Sequence, residues 1–146
     1  MPQFTRSEVP LHDQYKADRA WSEEPGEFPF TRGRKSTPHA TGTWIQRELS
    51  GEGDGQYSNA QIRYLLEHGQ TGIDVIGDAP TQSMLDPDNP LSRAAVGTQG
   101  VSLCCKQDYL DLFEGVPFGE VSVSSSVPAI MSLSGLVLAA REANFP

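Results

Sequence analysis

The sequence predicts an α/β fold built on a parallel sheet. Three observations carry this expectation. Helical and strand-like stretches alternate along the chain, as successive βα units do. Gly72-Ile-Asp-Val-Ile-Gly77 is a short, mostly apolar run between two glycines, as a buried parallel strand requires. Glu120-Val-Ser-Val-Ser-Ser-Ser126 reads as a second strand, with Val121 and Val123 on one face and Ser122, Ser124 and Ser126 on the other. Such a wholly polar face either meets water or lines a polar cavity.

Taken in order, residues 1–34 read as irregular. His12 to Trp21 allows a short polar helix with poor apolar spacing, and Pro25, Gly26, Pro29 and Gly33 prevent regular structure after it. Residues 35–55 read as a polar strap. Within it Trp44 to Leu49 alternates weakly, as a short strand would, and Gly51-Glu-Gly-Asp-Gly55 reads as a flexible loop. That loop lacks the flanking strand and helix that a phosphate-cradling loop needs.

A helix is expected from about Ser58 to His68. Ser58 and Gln61 would form a capping box, Tyr57 and Ile62 a hydrophobic staple, and Ile62, Leu65 and Leu66 the buried stripe. Gly69 is placed to stop the helix in a left-handed cap, and His68 reads as a surface residue. After the strand at Gly72, Asp78-Ala-Pro-Thr-Gln82 is expected as a loop at its C-terminal end, where ligands bind in α/β folds.

Leu85 to Pro90 reads as a turn. Its prolines and the lack of a downstream glutamate reject a calcium loop at Asp86 and Asp88. A second helix is expected from Lys106 to Glu114, with Tyr109, Leu110 and Phe113 as its stripe and Gly115 and Pro117 as its stop. Pro128 begins the last helix, apolar nearly all round from Ala129 to Ala140, which expects cover on several sides.

Composition narrows the function classes. A net charge of -8 argues against a nucleic-acid or anionic-membrane surface. No apolar run reaches the length of a membrane span. Cys104 and Cys105 are adjacent, which disfavours a disulfide between them. With no signal peptide read at the N-terminus, reduced thiols and a cytoplasmic location are expected. The pair has no second pair for zinc, so no metal site is expected. Cys104 reads as a buried thiol at a strand end rather than a nucleophile. G-x-S-x-G is absent, so no serine-hydrolase elbow is present.

Five blocks carry a family resemblance: GEFPFTRG at Gly26–Gly33, GQTG at Gly69–Gly72, D-x-PTQ at Asp78–Gln82, a D-x-D-x-P turn at Asp86–Pro90, and VG-x-x-GV at Val96–Val101. With their relative spacing intact, they resemble the catalytic barrel of the methylmalonyl-CoA mutase family, the cobalamin-dependent acyl-CoA mutases, over roughly residues 21–142. The resemblance implies a partial (β/α)8 TIM-type barrel. Residues 1–34 would be an extended N-terminal arm and residues 35–146 the N-terminal portion of the barrel. A complete barrel takes about 250 residues, so the chain is expected to be a segment, or to need a partner.

The resemblance also implies chemistry. The family isomerises the carbon skeleton of an acyl-CoA thioester with adenosylcobalamin, and the CoA chain threads the barrel past small polar side chains. Thr37, Arg47, Ser124 and Ser126 match substrate-contacting positions, and Trp44 and Arg47 match the family's W-x-x-R. The plain alternative makes these loop polar groups, a surface arginine and half-buried serines. Lys35 stands where the family has an aromatic, Pro38 and His39 replace Met-Tyr, Gly42 replaces a CoA-binding arginine, Leu49 replaces a residue that tunes substrate choice, and Asp74 replaces a serine. Catalytic and cofactor-binding residues are not identified. The cobalt-ligating D-x-H-x-x-G motif is absent, so the remainder of the barrel and a cobalamin-binding domain are expected on the same chain or another. Two readings follow. One is a segment or split subunit of an adenosylcobalamin-dependent mutase, contributing acyl-CoA binding and inactive alone. The other is a non-catalytic remnant that binds an acyl-CoA or a partner.

Overall fold

A computed structural model of the protein describes residues 3–12, 23–34, 36 and 44–145. The chain forms two compact units, Met1–Trp44 and Ile45–Pro146.

The first unit is more regular than its sequence suggests. β1 (Gln3–Phe4) pairs antiparallel with β2 (Pro10–Leu11), and the turn between them is closed by Thr5 and Val9, which exchange hydrogen bonds. Strands this short leave no periodic signal to read. GEFPFTRG is a chain of turns clasped at its ends, where the Gly26 N–H donates to the Gly33 carbonyl at 2.9 Å. The helix considered over residues 12–21 lies, apart from His12, outside the described residues.

The second unit carries the expected parallel sheet. β3 (Arg47–Ser50), β4 (Gly72–Val75) and β5 (Ser122–Ser125) lie in sequence order and are all parallel. Their register sets Arg47, Gly72 and Ser122 in one row, and Leu49, Asp74 and Ser124 in the row two residues on. Between these rows lie Glu48, Ile73 and Val123, whose side chains take the opposite face. Ile73 and Val75 on that face are fully buried, and Ile62, Leu112, Phe113, Val116 and Ala139 complete the core with them.

Helix α1 (Gly55–Glu67) begins three residues before the expected start. Its cap is Asp54, whose carboxylate accepts from the Tyr57 N–H at 2.8 Å. Ser58 is instead buried inside the helix, donating to the Glu52 carbonyl and accepting from the Glu52 N–H. Two cap signals four residues apart competed, and the outer one prevailed because Ser58 is needed to hold the loop. GEGDG is therefore flanked by a strand and a helix, contrary to expectation. Two of its central donors are already engaged: the Glu52 N–H by Ser58, and the Gly53 N–H by the Gly97 carbonyl.

The end of α1 follows the expectation. Gly69 has φ +98°, its N–H donates to the Leu66 carbonyl, and the Gln70 N–H donates to the Leu65 carbonyl. This is the Schellman arrangement.

Asp78 to Gln82 is not a loop. Asp78 caps a short helix, α2 (Ala79–Gln82), with proline in its first turn, where its missing N–H costs nothing. Helix α3 (Lys106–Leu112) packs against both α1 and α4 (Ala129–Glu142). Asn59 of α1 closes the end of α3 by donating to the Leu112 and Glu114 carbonyls, both at 2.9 Å. On α4, Gly135 lies under the Tyr109 ring, while Ile130 and Leu133 remain 73% and 67% exposed. Among the described residues, no helix is long and apolar enough to cross a membrane.

Candidate functional site

The polar face of the sheet gathers most of the chemistry-bearing residues singled out from the sequence. Arg47 starts β3, and its stem lies across β4 at Gly72. A Cβ at Gly72 would sit 2.6 Å from the Arg47 Cγ. The missing side chain lets the guanidinium reach β5, where it donates to the Ser122 hydroxyl. Ser122 was not among the expected site residues. The valine–serine alternation that places Ser124 on this face also places Ser122 there.

The next row holds Leu49, Asp74 and Ser124. Leu49 is 60% exposed. Asp74 is half-buried at the centre of the sheet, and nothing among the described residues bonds to its carboxylate. The Ser124 hydroxyl makes one long contact, donating to the Ile73 carbonyl at 3.4 Å. Ser126 lies just past β5 and is exposed, its N–H fixed to the Val75 carbonyl at 2.8 Å. Strand alternation gives it the parity of Ser122 and Ser124. Thr37 lies outside the described residues, as do Lys35, Pro38, His39 and Gly42. The arrangement therefore offers a fixed guanidinium, hydroxyls in adjacent rows and one open carboxylate. It can hold an anionic or carbonyl oxygen at Arg47 and a hydrogen-bond donor at Asp74.

The loops at the C-terminal ends of the strands are held by a fully buried staple. The Asp78 carboxylate accepts from the Thr81 N–H at 2.8 Å and from the Gly97 N–H at 2.7 Å. Val101 then bridges Gly53 and Gly77, exchanging backbone hydrogen bonds with Ile76 and Asp78. A Cβ at Gly100 would meet the Gly77 backbone at 2.3 Å. Thr81 completes the tie, its hydroxyl accepting from the Leu103 N–H at 3.0 Å. D-x-PTQ and VG-x-x-GV thus form one structural joint. Their conspicuous residues are consumed in holding two loops together.

Cys104 and Cys105 are free and exposed, which corrects the expectation of a buried thiol at a strand end. They open α3 instead, where the Asp108 carboxylate accepts from both of their N–H groups, at 2.7 and 2.8 Å. The Cys104 thiol is pushed up to about 12, first by burial and then by its hydrogen bond to Asp108 and that group's charge. Burial alone would raise Asp108, but the two backbone N–H groups and the thiols outweigh it and hold the carboxyl below its ordinary range. Tyr109 is raised by burial and by the charge of Asp108. Within the second unit, His68 does not stand on the polar face. His68 is exposed at the end of α1, stacked on Tyr64 with its Nδ1 against the Tyr64 carbonyl.

Comparison with known proteins gives consistent relatives. The family model described as Methylmalonyl-CoA mutase matches residues 3–146. The 2-hydroxyisobutanoyl-CoA mutase large subunit of Aquincola tertiaricarbonis is 35% identical over 81% of this chain and 21% of its own length. Methylmalonyl-CoA mutase of Cereibacter sphaeroides is 33% identical over 94% of this chain and 20% of its own. The methylmalonyl-CoA mutase large subunit of Propionibacterium freudenreichii subsp. shermanii is 34% identical over 92% and 18%. The chain spans about a fifth of the length of the curated relatives it matches.

Proposed function

We propose a function from one premise: the chain belongs to the methylmalonyl-CoA mutase family. The sheet β3–β4–β5 is part of a (β/α)8 barrel, and its polar face lines the passage for an acyl-CoA thioester. One observation carries this reading. Arg47 is laid over Gly72 to Ser122, so a cation reaches across three strands on the polar face of the β3–β4–β5 sheet. The strand between Arg47 and its partner Ser122 carries a glycine at the point of crossing, and that match gives the arginine a defined place.

In this role Arg47 binds a substrate oxygen through charge-assisted hydrogen bonds. Ser124 and Ser126 supply hydroxyls along the same ligand, and Thr37, outside the described residues, is proposed as a substrate contact from family resemblance alone. Together they fix the thioester and limit its motion, which is the protein's share of the work in a cofactor enzyme.

Adenosylcobalamin, the family's cofactor, would supply the radical chemistry. The sequence does not fit it as a cobalt ligand: D-x-H-x-x-G is absent, and among the described residues of the second unit His68 is engaged with Tyr64. This chain therefore serves the substrate side, with the rest of the barrel and the cobalamin domain supplied on the same chain or another.

A second reading, a non-catalytic acyl-CoA- or partner-binding module, has one observation in its favour. The open Asp74 carboxylate on the polar face opposes any ligand anion placed near Arg47. Calorimetric titration of the chain with methylmalonyl-CoA, and with free CoA as control, tests the shared step. Binding that Arg47→Ala weakens by about tenfold, the scale of one charge-assisted hydrogen bond, supports acyl-CoA binding in both readings, and no binding overturns it in both, leaving the module only its partner-binding form. Reconstitution with adenosylcobalamin and a mutase remainder then separates them. Isomerised product that requires this chain supports the subunit, and binding without turnover supports the module.

A further inference from the structure

Three groups outside the polar sheet face converge where α3 begins. One ligand atom each from Cys104, Cys105 and Asp108 lies within 4.8 Å of the other two. They are donor types that soft and borderline divalent cations take. We propose that Cys104, Cys105 and Asp108 form a binding site for a thiophilic divalent cation, zinc in the first instance, with a fourth position open to solvent or a further ligand.

The protonated site already has the connectivity of a metal site. Cys104 and Cys105 are both free thiols, held beside the Asp108 carboxylate by the turn that opens α3. Asp108 receives the backbone N–H groups of both cysteines through one oxygen, Oδ2, and its other oxygen is not used by them. Those bonds fix the carboxylate toward the thiols, as partners behind a metal ligand do. Binding exchanges two S–H protons for one divalent cation. Two S–H bonds break, two metal–sulfur bonds and one metal–oxygen bond form, and the protons pass to solvent. The site's formal charge stays at that of a single carboxylate throughout.

A second observation points to a ligand here. The Tyr109 side chain is 7% exposed, and its hydroxyl is buried with no hydrogen-bond partner. Tyr109 borders the same cavity of about 300 Å³ as both cysteines, with Met131, Gly135 and Leu138 as its apolar wall. A buried phenol rarely goes unpaired, and a metal-bound water or anion is a group it could pair with. Lys106 also borders this cavity. It is exposed, and its flexible stem can carry the ammonium away into water.

This site stands apart from the proposed acyl-CoA face, so its fate is independent of that reading. The test is anaerobic titration of the full chain with Co2+ under a non-thiol reductant, followed by displacement with Zn2+. The expected result is one Co2+ per chain, with tetrahedral d–d bands, a sulfur-to-cobalt charge-transfer band and two protons released per metal. Cys105→Ser is the decisive variant. Serine is a favoured helix cap, so α3 should persist while a thiolate is lost. Its far-UV circular dichroism should match the parent, and the charge-transfer intensity should fall by about half or more with affinity at least about tenfold weaker. Cys104→Ser should behave alike. Unchanged bands in either variant, no binding by the parent, or one metal per two chains would each overturn the proposal.

Discussion

Arg47 passes over Gly72 to reach Ser122. The Gly72 Cα faces the arginine stem so closely that a Cβ there would stand 2.6 Å from Cγ and 3.0 Å from the Ser122 carbonyl oxygen. Glycine is here a clearance, sized to one neighbour on the adjacent strand. The row Arg47–Gly72–Ser122 therefore works as a unit across β3, β4 and β5.

Gly72→Ala should displace Arg47 without removing its charge. Crowding of this kind costs about 1–3 kcal/mol of stability, measured by urea unfolding. Acyl-CoA affinity should fall about as far as in Arg47→Ala, by roughly tenfold for one charge-assisted contact. Full affinity in Gly72→Ala would show that the position of Arg47 is irrelevant to binding.

The Asp78 staple leads to a larger stability effect with no chemistry at stake. Asp78→Ala removes a helix cap and leaves the buried Thr81 N–H and the partly buried Gly97 N–H without their acceptor. The expected loss is about 2–5 kcal/mol. Asp78→Asn, which keeps an oxygen for one donor, should recover part of it. Equal stability of both variants with the parent in urea unfolding would contradict the joint described here.

Much of this fold is legible in the sequence, and the failures have local causes. β4 and β5 follow from apolar runs bounded by glycine and from serine alternation. The stop of α1 follows from Gly69, because a left-handed cap is a single-residue requirement. Asp54 was missed as a cap because Ser58 offered an equivalent local signal, and only the tertiary need for Ser58 at Glu52 decides between them. Asp78 was read as loop because its second partner, Gly97, is nineteen positions away. Proximity of that kind has no periodicity. On the polar face, Arg47 and Ser124 follow from family resemblance; Ser122 shares the valine–serine alternation of Ser124, but only the register sets it in one row with Arg47. Cys104 reads as a buried thiol from its residue type, but a helix start exposes it, and Asp108 joins the two cysteines only once α3 turns.

The thiol–carboxylate cluster predicts a pH signature. Asp108 has a lowered folded value, so its contribution to stability is present above its unfolded value of about 3.9 and disappears as pH falls through the folded value. Metal-free chain should therefore lose stability below about pH 4, and Asp108→Asn should flatten that limb in urea unfolding at several pH values. Cys104 is shifted in the opposite sense, up to about 12. In Cys105→Ser, alkylation of the remaining thiol at pH 8 should be far slower than for a free cysteine, and Asp108→Asn in that background should accelerate it. Fast alkylation of Cys104 beside an intact Asp108 would be inconsistent with the described geometry.

The contact of α3 with α4 turns on another pairing of ring and glycine. A Cβ at Gly135 would stand 2.0 Å from Tyr109 Cδ1 and 2.1 Å from Cε1. No rotation of a methyl group relieves such an overlap, so either the ring or α4 must move. Gly135→Ala should cost at least about 1–3 kcal/mol. Tyr109→Leu in the same chain should return part of that loss, because the two positions share one contact and their effects cannot add. Tyr109→Phe separates packing from polarity. The hydroxyl has no partner in the metal-free chain, so its removal should leave stability unchanged or raise it slightly. A loss above about 1 kcal/mol on Tyr109→Phe, the worth of one ordinary hydrogen bond, would mean that the hydroxyl is satisfied even without metal. If the parent gains more stability from Zn2+ than Tyr109→Phe does, the phenol is paired when the neighbouring site is filled. Identical gains would confine the tyrosine to packing.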